Sequence, residues 1–198
     1  FQFKELQGKR LAIAYEVPTP WMTFQDDLKR AGVDPDSLEI APNAPMHTNP
    51  ARLTNGEIDV AQVLEPYASA AVAAGHAHIW HRFASRGDIG YTSFYTTRQY
   101  MEKHPQTCAT LIAGIEPALL AIANEPALEI ASELAELFPD VPHPVLTNAI
   151  AGYQASGLWA KNTDLPPTAF VRLKGALLSG GLISRDIPYD HVIIRLET

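Results

Sequence analysis

Two rhythms of apolar residues run along this chain, and one gives way to the other near residue 98. Short continuous apolar runs come first. Residues 11–15 (LAIAY), 38–41 (LEIA) and 60–64 (VAQVL) each read as a strand, the first entered from the polar turn Gln7, Gly8, Lys9 and Arg10. Helix-period segments lie between them. Trp21, Phe24, Leu28 and Ala31, spaced by three, four and three, form one stripe of an amphipathic helix, and Gly32 supplies its stop. Thr19 followed by Pro20 predicts the cap and the first position of that helix. Asn49 predicts the cap of a short helix over 50–53, closed by Asn55 and Gly56, and residues 66–74 predict a third, ended by Gly75. Strand and helix alternating three times at this spacing imply a right-handed, mostly parallel α/β sheet. Strands this apolar predict cover on both faces. Residues 79–83 and 91–96 are two further strand-like runs, the second alternating aromatic and hydroxyl side chains.

From Arg98 onward the pattern is helical and punctuated by proline. Residues 100–122 predict a long helix, with Pro105 near the start of its main body and Pro117 as a kink or restart. Residues 126–137 predict another, with Ile130, Leu134 and Leu137 on one face and Glu129, Glu133 and Glu136 decorating it. Residues 139–144 read as a turn, 145–158 and 167–178 as two more helices, and Gly180 with Gly181 stops the last. Residues 192–196 are a candidate tail strand, and no repeat is present.

Composition narrows the classes. The 198 residues are 46% hydrophobic and 19% charged, as in an ordinary folded chain. Fifteen Lys and Arg against 22 Asp and Glu give a net charge of −7, with no cationic run, which argues against a nucleic-acid partner. No uninterrupted apolar run approaches the roughly 18 residues of a membrane span, so no membrane span is expected. The single cysteine, Cys108, reads as a small buried hydrophobe. No signal peptide is visible, and a start at Phe1 rather than Met predicts that a segment upstream was removed.

Candidate chemistry is thin. His76, His78 and His81 cluster at a helix end, but 76 and 78 would face one side of a strand and 81 the other, so surface histidines are expected and no metal site. The hydroxyls of Thr92, Ser93, Thr96 and Thr97 lack a base in register, and Ser179-Gly180-Gly181 lacks the strand-turn-helix context of a nucleophile elbow. Neither glycine-rich phosphate motif is present. No catalytic set assembles, and neither an enzyme nor a cofactor is expected. The strand ends stand out instead, because ligands of open α/β sheets sit beyond the carboxyl ends of the strands. They deliver Tyr15 to Thr19, then Pro42, Asn43, Ala44 and Pro45, then Glu65, Pro66 and Tyr67. The plainer readings are that Asn43 makes its own turn and Tyr67 packs under a loop.

The order of several short motifs resembles one family. Leu6-Gln7-Gly8-Lys9-Arg10 before a strand is similar to the start of the second lobe in type II periplasmic binding proteins of the sulfonate, nitrate, taurine and thiamine-pyrimidine group of ABC transporters. Residues 31–36 (AGVDPD), 53–59 (LTNGEID), Glu65-Pro66, His104-Pro105 and 170–183 (FVRLKGALLSGGLI) match in sequence order. The resemblance implies a bilobed clamp on a small-molecule ligand, serving an ABC transporter permease, periplasmic or lipid-anchored outside the cytoplasm. It implies an α/β lobe with a mostly parallel sheet over residues 1–104, then a C-terminal helical segment, 105–198, that would pack on a first lobe. That first lobe is expected on a missing N-terminal segment or a second chain. Carried over by position, the ligand-binding residues are Pro18, Thr19, Trp21, Asn43, Glu65 and Tyr67. A helix N-terminus with Thr19 suits an anionic head group, whereas Glu65 would welcome an amine or a protonated pyrimidine, unless it serves to cap the next helix. The alternative is a ligand-sensing or biosynthetic, pyrimidine-synthase-like protein on the same clamp; its cysteine-rich tract is absent, and no lysine sits in the loops.

Overall fold

The computed structural model describes residues 1–194. Strand β1 (Arg10–Ala12) lies between β2 (Glu39–Ile40) and β3 (Val60–Ala61), all parallel. Leu11 is the shared register point, opposite Ile40 on one side and Val60 on the other. Successive β1 side chains point to opposite faces. Leu11 therefore enters a core of Leu6, Phe24, Leu28, Val33 and Leu38, while Ala12 meets Ala41 and Ile58 beneath the sheet. Only this central strand is well covered; β2 is exposed and β3 half-buried, short of the two-sided cover its apolar residues predict.

The strands are also shorter than their apolar runs. The cause is Gln62, the polar residue inside 60–64. Its backbone N–H completes the ladder to Ala12 O at 2.8 Å, and its buried side chain then takes the Ala14 N–H at 3.2 Å. A side chain thus replaces the ladder just where the pairing would have continued.

Helix α1 (Pro18–Arg30) buries Phe24 and Leu28 of the expected stripe. Gly32, at φ +73°, ends it: Val33 N–H bonds back to Leu28 O at 2.9 Å and Gly32 N–H to Lys29 O at 3.0 Å, a left-handed cap that suits glycine. Helices α2 (Asn49–Thr54) and α3 (Tyr67–Ala73) complete the layer. Asn49 is the first residue of α2 rather than its cap, buried and accepting from Arg52 at 3.1 Å.

Residues 79–83 and 91–96 form no strands. Trp80 and Phe83 turn inward against the α1 core, and the chain tightens into a 3-10 turn at Phe83–Arg86. Farther on, Gly90 N–H goes to Ala169 O, and Phe94 and Tyr95 stand 75% and 97% exposed. A strand needs a free neighbouring edge, and neither segment meets one among the described residues. His76 and His78 are exposed as expected, but His81 is half-buried, stacked on Phe1 at 4.4 Å and edge-on to Phe83 at 5.2 Å. Burial lowers its pKa.

The second half begins with α4 (Arg98–Lys103) and α5 (Pro105–Asn124), two helices where one was expected. Pro105 makes the break, while Pro117 sits inside α5 without ending it. Ala113, whose carbonyl the proline leaves without its usual donor, lies on the exposed side of the helix. No α5 residue is fully buried: Cys108, Ile112, Ile115, Leu119 and Ile122 form a half-buried line, and Leu111 and Leu120 face outward. Cys108 is therefore only partly covered. By length and composition α5 qualifies to cross a bilayer, against the expectation from uninterrupted runs, although Glu116 lies in its middle.

Helix α6 (Ala127–Leu134) packs through Ile130 and Ala131 on Leu146 and Ile150 of α7 (His143–Ala155). Leu137 leaves the expected stripe because Ala135–Leu137 tightens to a 3-10 turn. Helix α7 also packs on α3, and α8 (Pro167–Ser179) packs on α1, where Lys29 Nζ donates to Ser179 O at 2.7 Å. The tail holds a helical turn, α9 (Tyr189–Val192), where the strand was expected to begin; residues 195 and 196 of that expectation lie outside the described residues.

Candidate functional site

From β1 the chain moves to β2 on one side, then crosses back to β3 on the other. The crevice beyond the carboxyl ends of β1 and β3 is therefore the switch point of the sheet, where open α/β layers hold ligands. Gln62 sits at that junction. While its Oε1 accepts from Ala14, its Nε2 donates to Pro20 O at 3.0 Å, joining the end of β1 to the first turn of α1. Thr23 Oγ1 donates to the same carbonyl at 3.0 Å.

That first turn offers fewer donors than expected. The helix starts at Pro18 and its cap, Val17, makes no side-chain bond. Pro18 and Pro20 have no N–H, so among the first three helical positions only Thr19 offers an amide, together with its hydroxyl. Trp21 turns toward the core, edge-on to Phe24 at 5.6 Å.

The other two loops are tied to this one. Glu16 accepts the Met46 N–H at 2.7 Å, linking the β1 loop to the segment before α2. Arg52 holds the Pro42 carbonyl of that segment at 3.2 Å. Asn43 beside it is exposed and makes no hydrogen bond to a described residue, so it is not turned in on its own loop. At the third loop, after a cis Glu65–Pro66 bond, Glu65 Oε2 accepts the Ser69 N–H at 2.9 Å. The carboxylate serves helix α3, the capping role left open above. The Glu65 N–H itself donates to Tyr153 Oη at 3.1 Å.

Of the nominated residues, Thr19, Asn43 and Tyr67 carry polar groups without a partner among the described residues. Pro18 opens α1, the Glu65 carboxylate is engaged with Ser69, and Trp21 is half-buried against the edge of the core. Sequence reasoning missed Gln62 and Tyr153. A lone polar residue in a buried run could have revealed Gln62; nothing local marks Tyr153, 88 positions from its partner.

Two cavities flank this region. One of about 190 Å³ lies behind α3, lined by Glu65, Ser69, Ile79, Arg82 and Asn148 among others. A larger one, about 270 Å³, lies away from the rim between α1 and α8, with Asp26, Asp27, Arg30, Arg86 and Arg172 on its walls. Its charged side chains pair with one another and with backbone: Arg86 pairs with Asp27, Arg30 with Asp26 at 2.6 Å, and Arg172 Nη1 donates to Arg86 O and Asp88 O at 2.7 and 2.9 Å, while Arg86 Nε is buried without a partner among the described residues. Burial pushes Asp27 up and Arg86 down in pKa, each shift only partly opposed by the partner charge. This cavity is a polar seam between helices.

Comparison with known proteins identifies the family and the fold. The model of the NMT1-like family matches residues 2–138. YtlA of Bacillus subtilis (strain 168), which carries the name of a binding protein, is 22% identical over 195 residues, covering 98% of this chain and 58% of that one. The crystal structure of the periplasmic aliphatic sulphonate binding protein SsuA from Escherichia coli superposes on the whole chain with a TM-score of 0.76 at 19% identity, which establishes the fold; 63% of SsuA is covered. The chain thus spans about three-fifths of the length of the relatives it matches.

Proposed function

The chain belongs to the NMT1-like family, and on that premise we propose that it is the ligand-binding lobe of a solute-binding protein. It gathers a small organic solute at the strand-end rim and delivers it to the permease of an ABC importer. Its place is outside the cytoplasmic membrane, in the periplasm or on a lipid anchor. The binding proteins it resembles support a role without chemistry. Residues 1–104 are the lobe, and the exposed apolar face of α5, in the segment 105–198, packs against a further α/β lobe, on this polypeptide or another.

One observation carries the choice of solute. Both rim carboxylates are turned to backbone N–H groups, Glu16 to Met46 and Glu65 to Ser69. Each is satisfied within the protein and offers less to a cation. The groups left over, the Thr19 hydroxyl and amide, the Asn43 amide and the Tyr67 hydroxyl, include several donors. Such a rim suits an acceptor-rich or anionic solute, sulfonate-, nitrate- or pyrimidine-like, better than an amine.

A thermal-shift panel of sulfonates, nitrate, aromatic carboxylates and pyrimidines tests this, because a bound solute raises the melting temperature by mass action. A stabilising sulfonate or nitrate is the expected result; stabilisation by none of the panel defeats the reading, and turnover of a hit would make the protein an enzyme. Tyr67→Ala should weaken binding of the hit about tenfold while leaving the apo melting temperature nearly unchanged. A large apo destabilisation with intact affinity would return Tyr67 to the core.

A further inference from the structure

We infer that Tyr153 is a specificity-determining residue of the rim, contributed by a C-terminal helix and presenting its phenolic O–H to a hydrogen-bond acceptor on the bound solute. The inference rests on the binding reading above and adds a residue from outside the α/β layer. It begins in the loop after β3, past Gln62, whose N–H makes the last ladder bond. The Glu65 N–H therefore needs an acceptor of its own, and Tyr153 Oη supplies it at 3.1 Å. An atom bonded to that amide lies at the third loop, between the end of β3 and the start of α3.

The hydroxyl uses one of its lone pairs in that contact. Its own hydrogen has no acceptor among the described residues, so a donor stands at the third loop with none of them to receive it. The ring is fixed in place by Trp159, edge-on at 5.4 Å and 89°, and by the packing of α7 on α3. Few rotamers remain to be lost when a solute binds. Burial raises the pKa of the phenol, which keeps the hydrogen in place at neutral pH. Glu65 has its carboxylate on Ser69, so the third loop meets the solute through phenols rather than through an acid.

The test uses the solute that the thermal-shift panel returns. Calorimetric titration of wild type and Tyr153→Phe, which keeps the ring and its contact with Trp159, should show about a tenfold loss of affinity. In protein labelled with ¹³Cζ tyrosine, the resonance missing from the variant should move in wild type when the solute saturates it. An affinity within twofold of wild type, or a Tyr153 resonance that stays in place, makes the residue a strut for the Glu65 loop and overturns the inference alone. Failure of wild type to bind anything in the panel removes the binding reading and this inference with it. Should Tyr153→Phe not fold, Trp159→Phe keeps the hydroxyl and loosens its seat. Its affinity should then fall about threefold, and unchanged affinity would overturn the inference.

Discussion

Asp59 and Arg10 fasten the start of the sheet by both side chain and backbone. Arg10 donates from Nε and Nη2 to the two carboxylate oxygens at 3.1 and 2.9 Å, and its backbone N–H adds a third bond at 2.8 Å. These hydrogen bonds hold the Asp59 carboxyl down at about 2. A carboxyl lowered in the folded state stabilises it above the ordinary pKa of about 4. That contribution disappears as pH falls through the folded value. Asp59→Asn should therefore melt lower than wild type at pH 6, and its melting temperature should fall less steeply between about pH 4 and 2, so that the two curves approach each other in acid. Parallel curves across that range would remove the pair from the account of acid stability. Single residues also show how far the site could be read from sequence. Thr19, Asn43 and Tyr67 follow from sheet topology as residues of the loops after the strands, and their polar groups have no partner among the described residues. The direction of a side chain was not legible. Position nominated Trp21 and Glu65 as well; Trp21 packs edge-on to Phe24, and the Glu65 carboxylate accepts from the Ser69 amide.

At the scale of elements, α1 and α8 meet across a charged seam rather than an oily one. Arg86 and Asp27 pair there with side chains only 13% and 16% exposed. Removing one partner of such a pair leaves the other buried and uncompensated, which costs about 3 kcal/mol. Arg86→Ala should lower the urea midpoint accordingly. Arg86→Met combined with Asp27→Leu should recover most of the loss, and an equally unstable double variant would show that the pair does more than satisfy its own burial. Elements whose signal is local were legible in sequence: the α1 stripe, its glycine stop, and the helix pair α6 and α7. Elements that need a distant partner were not. Residues 79–83 and 91–96 have the composition of strands, yet no free edge reaches them. The two prolines of the long helical segment look alike in sequence and differ in place: Pro105 opens a helix after a non-helical His104, while Pro117 lies where water can take the displaced carbonyl.

At the scale of the whole molecule, α5 is thinly covered for so apolar a helix, with no fully buried residue. Its outward leucines, Leu111 and Leu120, are 45% and 59% exposed, and they belong to the face proposed to meet another lobe. Exposed apolar surface of this kind drives association when its partner is absent. In sedimentation velocity this 198-residue chain should therefore self-associate. Leu111→Lys with Leu120→Lys should shift it toward monomer with little change in melting temperature, and an unchanged distribution would clear α5 of that role. The two halves of the chain are also stitched together well away from the peptide that connects them. Tyr153 holds Glu65, Lys29 holds Ser179, and Arg172 holds the Arg86 and Asp88 carbonyls. Phe94 and Tyr95, by contrast, lie in an irregular, solvent-facing stretch. The covalent connection there contributes little that these contacts do not already supply, so this is the place to open the polypeptide for engineering. A fluorophore, a linker or new chain termini set between Phe94 and Tyr95 would leave both the sheet and the seam intact, and would turn this lobe into a reporter that can be rewired without being refolded.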